Sequence, residues 1–491
     1  MSLSVRRLAS ALSFALILPA SLQAAIYIPN KPADTNDGVC DSDCSLREAI
    51  TAANQHPGED TILLHAGTYT LTASGPASGN LQLQGDTVLM GDGAGRTIID
   101  GGGLGGIFYI PGEVTVQIQD VTLRHGRSPG AGGAIHNQGD LTLLRTVLSG
   151  NSSVAGGAGP GRGGAIVSDG ANPSLTLADS TVANNTAQGA GGGILAGGDL
   201  SLTNVTVSGN RSTAGLGGGL YLFSSVRATV SNATIAGNSA ALKGGGVFVE
   251  NAAFIGLPPK VTSSILAGNT ASSEPDCSGT LNSAYDLIGN GAGCFGPPGS
   301  HNKVGTAASP IDPKLGPLAV NGGPTPTLAL LGGSPAIDAG NPSPPGSGTG
   351  ACADTDQRGA RRPGGALCDI GAFETTSACV AGGSTLCLNN GRFKVTANWQ
   401  TSTGGGAATA VAVNGDNGYF WFLDPGSVEV VAKVLDNCGT NGHYWLSLGG
   451  LTNARVDLTI TDTRTGQAKT YTNPSGQAFR TLINRVTFAC P

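Results

Sequence analysis

The sequence predicts an all-β protein: a right-handed parallel β-helix with an N-terminal capping helix, followed by a C-terminal antiparallel β-sandwich. Three observations carry this expectation. An eleven-residue phrase recurs six times with branched aliphatics in fixed register. Glycine supplies 80 of 491 residues, more than twice its usual share, and gathers in tracts between the phrases. After residue 375 the tracts that anchor the coils stop, and residues 379–491 hold alternating strand patterns with all three tryptophans.

Residues 1–25 read as a secretory signal peptide. Arg6 and Arg7 precede an apolar run over residues 8–19, and small residues lead to Ala24 and Ala25. That run is too short to span a bilayer and no later stretch of about 18 apolar residues exists. The mature chain is therefore expected to lack a transmembrane span and to be exported, to the cell surface or the medium, with periplasmic retention left open. The net charge of −6 offers no basic footprint for nucleic acid.

Residues 26–94 are expected to form an N-terminal cap and the first coils. Ser45 and Glu48 stand in the Ser-x-x-Glu relation of a capping box. Leu46, Ala49, Ile50 and Ala53 then make an apolar stripe able to lie across the first coil and cover its open strand edges. Four aspartates precede this helix, Asp34, Asp37, Asp41 and Asp43. They raise calcium binding, yet the spacing fails the EF-hand pattern, because the twelfth position from Asp34 is Ser45 rather than glutamate. A solvated turn is the expected reading, with calcium the alternative and no other cofactor.

Residues 95–375 are expected to be the β-helix and a closing segment. The six windows are 116–126, 141–151, 175–185, 200–210, 228–238 and 259–269. Their third position is Ile118, Leu143, Leu177, Leu202, Val230 and Val261, and their eighth is Leu123, Leu148, Val182, Val207, Ile235 and Leu266. Alternation of this kind marks strands with one buried face, and repeats of 25 to 34 residues mark stacked units. The handedness follows that of parallel crossovers. The eleventh position is Gly126, then Asn151, Asn185, Asn210, Asn238 and Asn269. Asparagine tolerates a left-handed corner and carries both donor and acceptor, so these residues are expected to form a ladder. The tracts at 132–135, 163–166, 191–194, 217–220 and 244–247 are expected to supply positive φ and close approach of coils. Asp338, Asp356, Arg358, Asp369 and Glu374 lie in the closing segment, where a network of paired charges is expected rather than a catalytic cluster.

All ten cysteines follow the signal peptide, which in an exported chain reads as disulfides. A solenoid keeps sequence neighbours close, so the expected pairs are Cys40 with Cys44, Cys277 with Cys294, Cys352 with Cys368, Cys379 with Cys387, and Cys438 with Cys490. Residues 379–491 should form a sandwich of about seven strands. Within it, Tyr419 and Trp421 of the run YFWF, together with Trp445, are candidates for a ring platform that stacks on sugars; core packing is the competing use.

Several segments resemble known families. The GGAI tetrads, each followed by a strand and an SGN corner, resemble the repeats of chlamydial-type polymorphic outer membrane proteins. NGGPTPTLALLGGSPAIDAGN (321–341), DTDQRGARRP (354–363) and CDIGAFE (368–374) resemble the choice-of-anchor module of secreted bacterial β-helix proteins. DGVCDSDCSLREAITAAN (37–54) resembles the CSLREAI segment that begins many such chains. These resemblances span most of residues 26–375 and imply a secreted β-helix without a defined reaction.

The remaining question is catalysis. Many β-helices cleave acidic polysaccharides, which needs two titrating groups at fixed separation on one face. The fifth window position holds Asp120, Arg145, Asp179, Asn204, Asn232 and Ser263, so its two aspartates stand two coils, about 10 Å, apart. Arg124, Arg145 and Arg162 are the candidate bases, with His125 and His136 nearby in sequence. No window combines a base with an acidic cluster. A structural or adhesive protein that binds glycan or cell-surface material without cleaving it is therefore expected, with polysaccharide lyase or glycoside hydrolase as the alternative.

Overall fold

The computed structural model describes residues 24–490 except for 73–79, 158, 225–226, 251–257, 297–299, 349, 376–378, 380, 390 and 464–465. The expected signal peptide thus lies outside the described residues, apart from Ala24 and Ala25.

The chain begins with the expected cap. The helix Leu46–Gln55 starts on Ser45, which accepts from the Glu48 amide at 3.2 Å, while Glu48 accepts from the Ser45 amide at 2.7 Å. Leu46, Ala49, Ile50 and Ala53 are buried in the same core as the coils behind them. Covering that end removes apolar surface of the first coil from water.

Behind the cap, four parallel sheets run along a solenoid, with ten, ten, nine and five strands among the described residues. All twelve aliphatics at the third and eighth window positions are buried, none more than 3% exposed. Register holds from coil to coil: Leu143 pairs with Ile118 and Leu177, and Leu148 with Leu123 and Val182. The fourth sheet, Arg127–Pro129 through Ser239–Ala240, adds a short strand per coil to the three that the repeat suggests.

The corners divide their work differently from the sequence reading. The left-handed residue is the tenth of each window, not the eleventh: His125, Gly150, Asn184, Gly209, Gly237 and Gly268 have φ between 55° and 70°. A second left-handed corner falls at the fifth position, Asp120 through Ser263. The eleventh residues are freed to point inward and form the ladder. Asn185 donates its amide and Nδ2 to Asn210 Oδ1 at 3.1 and 2.9 Å, and Asn210 repeats this onto Asn238 at 3.0 and 2.9 Å. Each Nδ2 also donates to a main-chain carbonyl, Leu148 for Asn185 and Val182 for Asn210. Gly126 starts the series by donating to Asn151, and Asn269 ends it on Asp276 Oδ1 at 2.9 Å. Every bond to an Oδ1 runs the same way along the axis, while the second Nδ2 proton reaches back to the preceding coil, so the series ends on a carboxylate that can only accept.

In the glycine tracts, the first residue takes positive φ, as at Gly191 with φ +70°. The second sits where coils nearly touch. A Cβ on Gly164 would lie 2.0 Å from the Gly192 carbonyl oxygen, and one on Gly192 would lie 2.2 Å from that of Gly218.

A second inner corner ends on Asp286. Ala233 donates to Ser264 Oγ at 3.0 Å, and Ser264 in turn donates its amide to Asp286 Oδ1 at 2.7 Å. Burial pushes this carboxyl up to about 8, against the pull of hydrogen bonds from Ser264, Ser283 and Ala284. Because the folded value is raised, the stability it allows is fully present below the ordinary carboxylate range. That stability is lost as pH rises through the folded value. Asp286→Asn is therefore expected to raise the melting temperature relative to the parent near pH ~9 and to lose that advantage near pH ~4. An unchanged difference across that range would refute the buried neutral carboxyl.

The segment expected to close the far end lies instead along the solenoid's side. Residues 321–374 cross four successive coils on the outer face of the sheet that contains the eighth window positions. Gln357 Nε2 donates to Thr181 Oγ1 at 2.9 Å and its Oε1 accepts from Thr206 at 2.6 Å. Asn204 donates to the Thr355 carbonyl, the Ala353 amide to Asn232, and the Ala372 amide to Thr234. Gly371 reaches the Ser263 carbonyl. Ile265, Ala267 and Leu287 of the coils form a small core with Leu330, Ala336 and Ile370 of this strap. The physical reason is that these outward positions, small and apolar in the later coils, gain burial that an end cap would not give them.

The C-terminal unit is a sandwich of two five-stranded antiparallel sheets over one core that includes Phe393, Phe420, Leu446, Val456 and Phe488. Among the described residues it has ten strands rather than about seven. The additional ones, Leu386–Leu388, Gly405–Ala407, Thr409–Ala412 and Leu482–Ala489, are short, glycine-rich or weakly alternating. All five expected cysteine pairs form, with Cα separations from 4.4 to 6.6 Å.

Candidate functional site

The ring candidates share one sheet face. Along the strand Asn417–Trp421, Gly418 and Phe420 point into the core while Tyr419 and Trp421 are half-buried on the outside. Period two does this: four aromatic residues in a row cannot all be core. Phe422 packs inward and stacks on Trp399 at 5.0 Å. Trp445 lies on the same outer face, since its neighbours Tyr444 and Leu446 are buried. Trp445 is held in place, with Nε1 donating to Asn441 Oδ1 at 3.0 Å and the Arg485 guanidinium 5.0 Å from its ring centroid.

Sequence reasoning missed the apolar residues between these rings. Val411 and Val431 flank Tyr419 on adjacent strands, and Leu435 stands opposite Trp445. Ile483, 63% exposed, completes the surface, with Lys433 and Ser447 as polar neighbours. The signal was available as alternation in VEVVAKVLD, whose outward residues are valine, lysine and leucine. The opposite sheet carries a cleft of about 470 Å³ lined by Trp399, Gln400, Thr401, Arg455 and Asp457. Hydrogen bonds from Thr472 and Arg455 hold the Asp457 carboxyl below its ordinary range.

On the coils, carboxylates are tied to partners. Arg145 bridges to Asp120 at 2.6 Å, Arg124 to Asp100 at 2.7 Å, and Arg227 to Asp199 at 2.7 Å. Arg145 occupies the coil between Asp120 and Asp179, and Asp179 accepts instead from Asn204 at 3.0 Å. Burial raises the Asp179 carboxyl, partly offset by Asn204 and Arg145. One grouping was invisible in sequence: His136 Nε2 lies 2.8 Å from Asp169 Oδ1, with Arg162 at 3.4 Å from Oδ2 and the Tyr109 ring edge-on to the imidazole. The His136 contact, with help from Arg162, holds Asp169 below the usual carboxylate range. Asp169 is 33 residues from His136 and only the coil register brings them together.

In the strap, Asp356, Arg358 and Glu374 enter ion pairs as expected, whereas Asp338 and Asp369 accept from uncharged donors instead. Asp356 receives Arg358 Nε at 2.8 Å and the Ala360 amide at 2.9 Å. Glu374 pairs with Arg362 at 2.7 Å, both fully buried, and burial pushes the Glu374 carboxyl up to about 7. Asp369 accepts the Asp338 amide at 2.8 Å, while Asp338 accepts from Leu367 at 3.1 Å.

The four N-terminal aspartates do not converge. Asp34 takes Arg47 at 2.7 Å and the Thr72 amide, Asp43 pairs with Lys31 at 2.6 Å, and Asp37 and Asp41 each cap a turn, at Val39 and Asp43. Among the described residues, one trio of potential metal ligands lies within 4.8 Å, Asp436 with Cys438 and Cys490, and its sulfurs are joined as a disulfide. No helix among the described residues is long and apolar enough to cross a membrane.

Comparison with protein-family models, with curated proteins and with solved structures finds no match to this chain.

Proposed function

We propose that this chain is an exported structural or adhesive β-helix protein that binds glycan or cell-surface material without cleaving it. The observation that carries the reading is the outer face of the sandwich, where Tyr419, Trp421 and Trp445 stand half-buried beside exposed Val431 and Ile483. Rings of this kind offer flat apolar area to the C–H faces of sugars, while Lys433, Ser447 and Arg485 supply hydrogen bonds beside them. The solenoid supports the same reading: Arg145 stands between the two fifth-position aspartates, so no free acid pair faces a substrate there. Five disulfides suit an oxidising compartment.

The test is a glycan array with the parent and with Trp421→Ala and Trp445→Ala. Each substitution is expected to weaken the strongest signals roughly tenfold, about the 1.4 kcal/mol that a lost ring contact supplies. Binding unaffected by both, or absent from the parent, overturns the reading.

A second reading, a polysaccharide lyase or glycosidase, draws on His136, Asp169 and Tyr109, the place on the coils where a base, its orienting carboxylate and a phenol meet. Release of unsaturated uronides or new reducing ends, lost in His136→Ala, would establish it in place of the first.

A further inference from the structure

We propose that the outer face of the solenoid's fourth sheet is a track for a linear polyanionic glycan, such as a uronic-acid polymer, lying along the solenoid axis. The inference rests on the glycan-binding reading and adds a ligand class and a second site. Register places Arg127, Ser152, Thr186, Arg211 and Ser239 in one outward row, with one residue from each successive coil. Beside it runs a second outward row beginning Pro129 and Val154.

Three features of this face point to a polyanion. The first is charge. The chain carries a net −6, yet residues 125–129, 150–154, 184–188, 209–213 and 237–241 contain no aspartate or glutamate. The second is the state of the arginines. Elsewhere on the coils Arg124, Arg145, Arg162, Arg227 and Lys243 each hold a carboxylate. Arg127 and Arg211 are exposed and make no side-chain hydrogen bond or ion pair among the described residues. Unpaired, they keep their attraction for an external anion, which a neighbouring carboxylate would quench. The third is shape. Between the two guanidinium groups lie short hydroxyl side chains, so an extended chain can approach the backbone closely. Three rungs separate the arginines, about 14 Å, a span that a repeating anion meets and a single small anion does not. The face carries no tryptophan, tyrosine or phenylalanine, which disfavours single-stranded nucleic acid, whose bases need rings to stack on.

The experiment measures binding of the full chain to immobilised polygalacturonate, to its methyl ester, and to single-stranded DNA, at two salt concentrations. The parent is expected to bind polygalacturonate, more weakly at high salt, and to ignore the ester. The double variant Arg127→Gln/Arg211→Gln is expected to lose roughly tenfold or more in affinity, each single variant less. Circular dichroism of the double variant should match the parent, because both side chains are exposed and unbonded. Equal affinity of parent and double variant, no binding of polygalacturonate by the parent, or equally tight binding of DNA would each overturn the proposal. Neutral glycans bound through Trp421 and Trp445 with no affinity for polygalacturonate would sink this inference alone and leave the broader function standing.

Discussion

Replacing Gly192 by alanine is expected to destabilise the solenoid by about 4 kcal/mol or more, the range reserved for steric damage with no route of relief. The new methyl would sit 2.2 Å from the Gly218 carbonyl oxygen and 2.4 Å from the Arg211 carbonyl carbon. Both obstacles are backbone of the next coil, which is itself hydrogen-bonded onward, so neither can move without parting the stack. Gly268 provides the contrast. Its φ of +69° is left-handed, which that of Gly192 is not, but an added methyl meets no heavy atom within 4 Å. Gly268→Ala should cost only the conformational penalty, roughly 1–2 kcal/mol. Denaturant melts of the two variants check the distinction. Equal losses would mean that the close approach at Gly192 costs no more than a left-handed backbone does at Gly268.

Asn210→Ala is the second large effect. It removes the acceptor of two bonds from Asn185 and the donor to Asn238 and to the Val182 carbonyl, all of them buried. Since a buried polar group left unpaired costs about 1–3 kcal/mol, a total loss near ~3 kcal/mol is expected. Asn210→Asp should be worse, because a carboxylate oxygen would then face the Asn238 oxygen and the Val182 carbonyl. Ser208→Ala, two residues away on the outward side, should change stability by no more than about 0.5 kcal/mol. Melting curves for the three variants order them, and an Asn210→Ala protein that unfolds with the parent would make the ladder incidental.

What the sequence revealed and what it concealed follow from one distinction. Leu143, Leu148 and their counterparts were legible because the same environment recurs at each coil, so the pattern repeats even when spacing varies. The capping box at Ser45 and the cysteine pairs were legible because their partners lie close in sequence. The strap was misplaced because its contacts, such as Gln357 with Thr181, join segments 176 residues apart with no repeat to announce them. A trace was present in the coils. The ninth window position passes from Arg124 and Ser149 to Ala183, Ala236 and Ala267, and the seventh holds Thr181, Thr206, Thr234 and Ile265, all buried. Outward positions that turn small and apolar signal a covered face. The aromatic platform was half legible: alternation identified Tyr419 and Trp421, but the strand order that sets Leu435 opposite Trp445 comes from pairings that periodicity does not encode. His136 and Asp169 were hidden because both lie just past the glycine tetrads, outside the positions that recur from coil to coil.

The one-way hydrogen bonding of the asparagines has a consequence for how such a chain can change over time. Gly126 needs only to donate and Asp276 only to accept, while every residue between them does both. A whole coil can therefore be duplicated or lost without either terminus being rebuilt, and the molecule's length is a variable that recombination can tune. The strap restricts that freedom to coils before Asp179, since later ones are each bonded to it. A chain lacking residues 127–151 should accordingly still melt cooperatively, with the Gly126 amide donating to Asn185 Oδ1 in place of Asn151, whereas one lacking residues 186–210 should not. Growth of this architecture is thus expected at its N-terminal side, the splinted half staying constant while the free half lengthens or shortens.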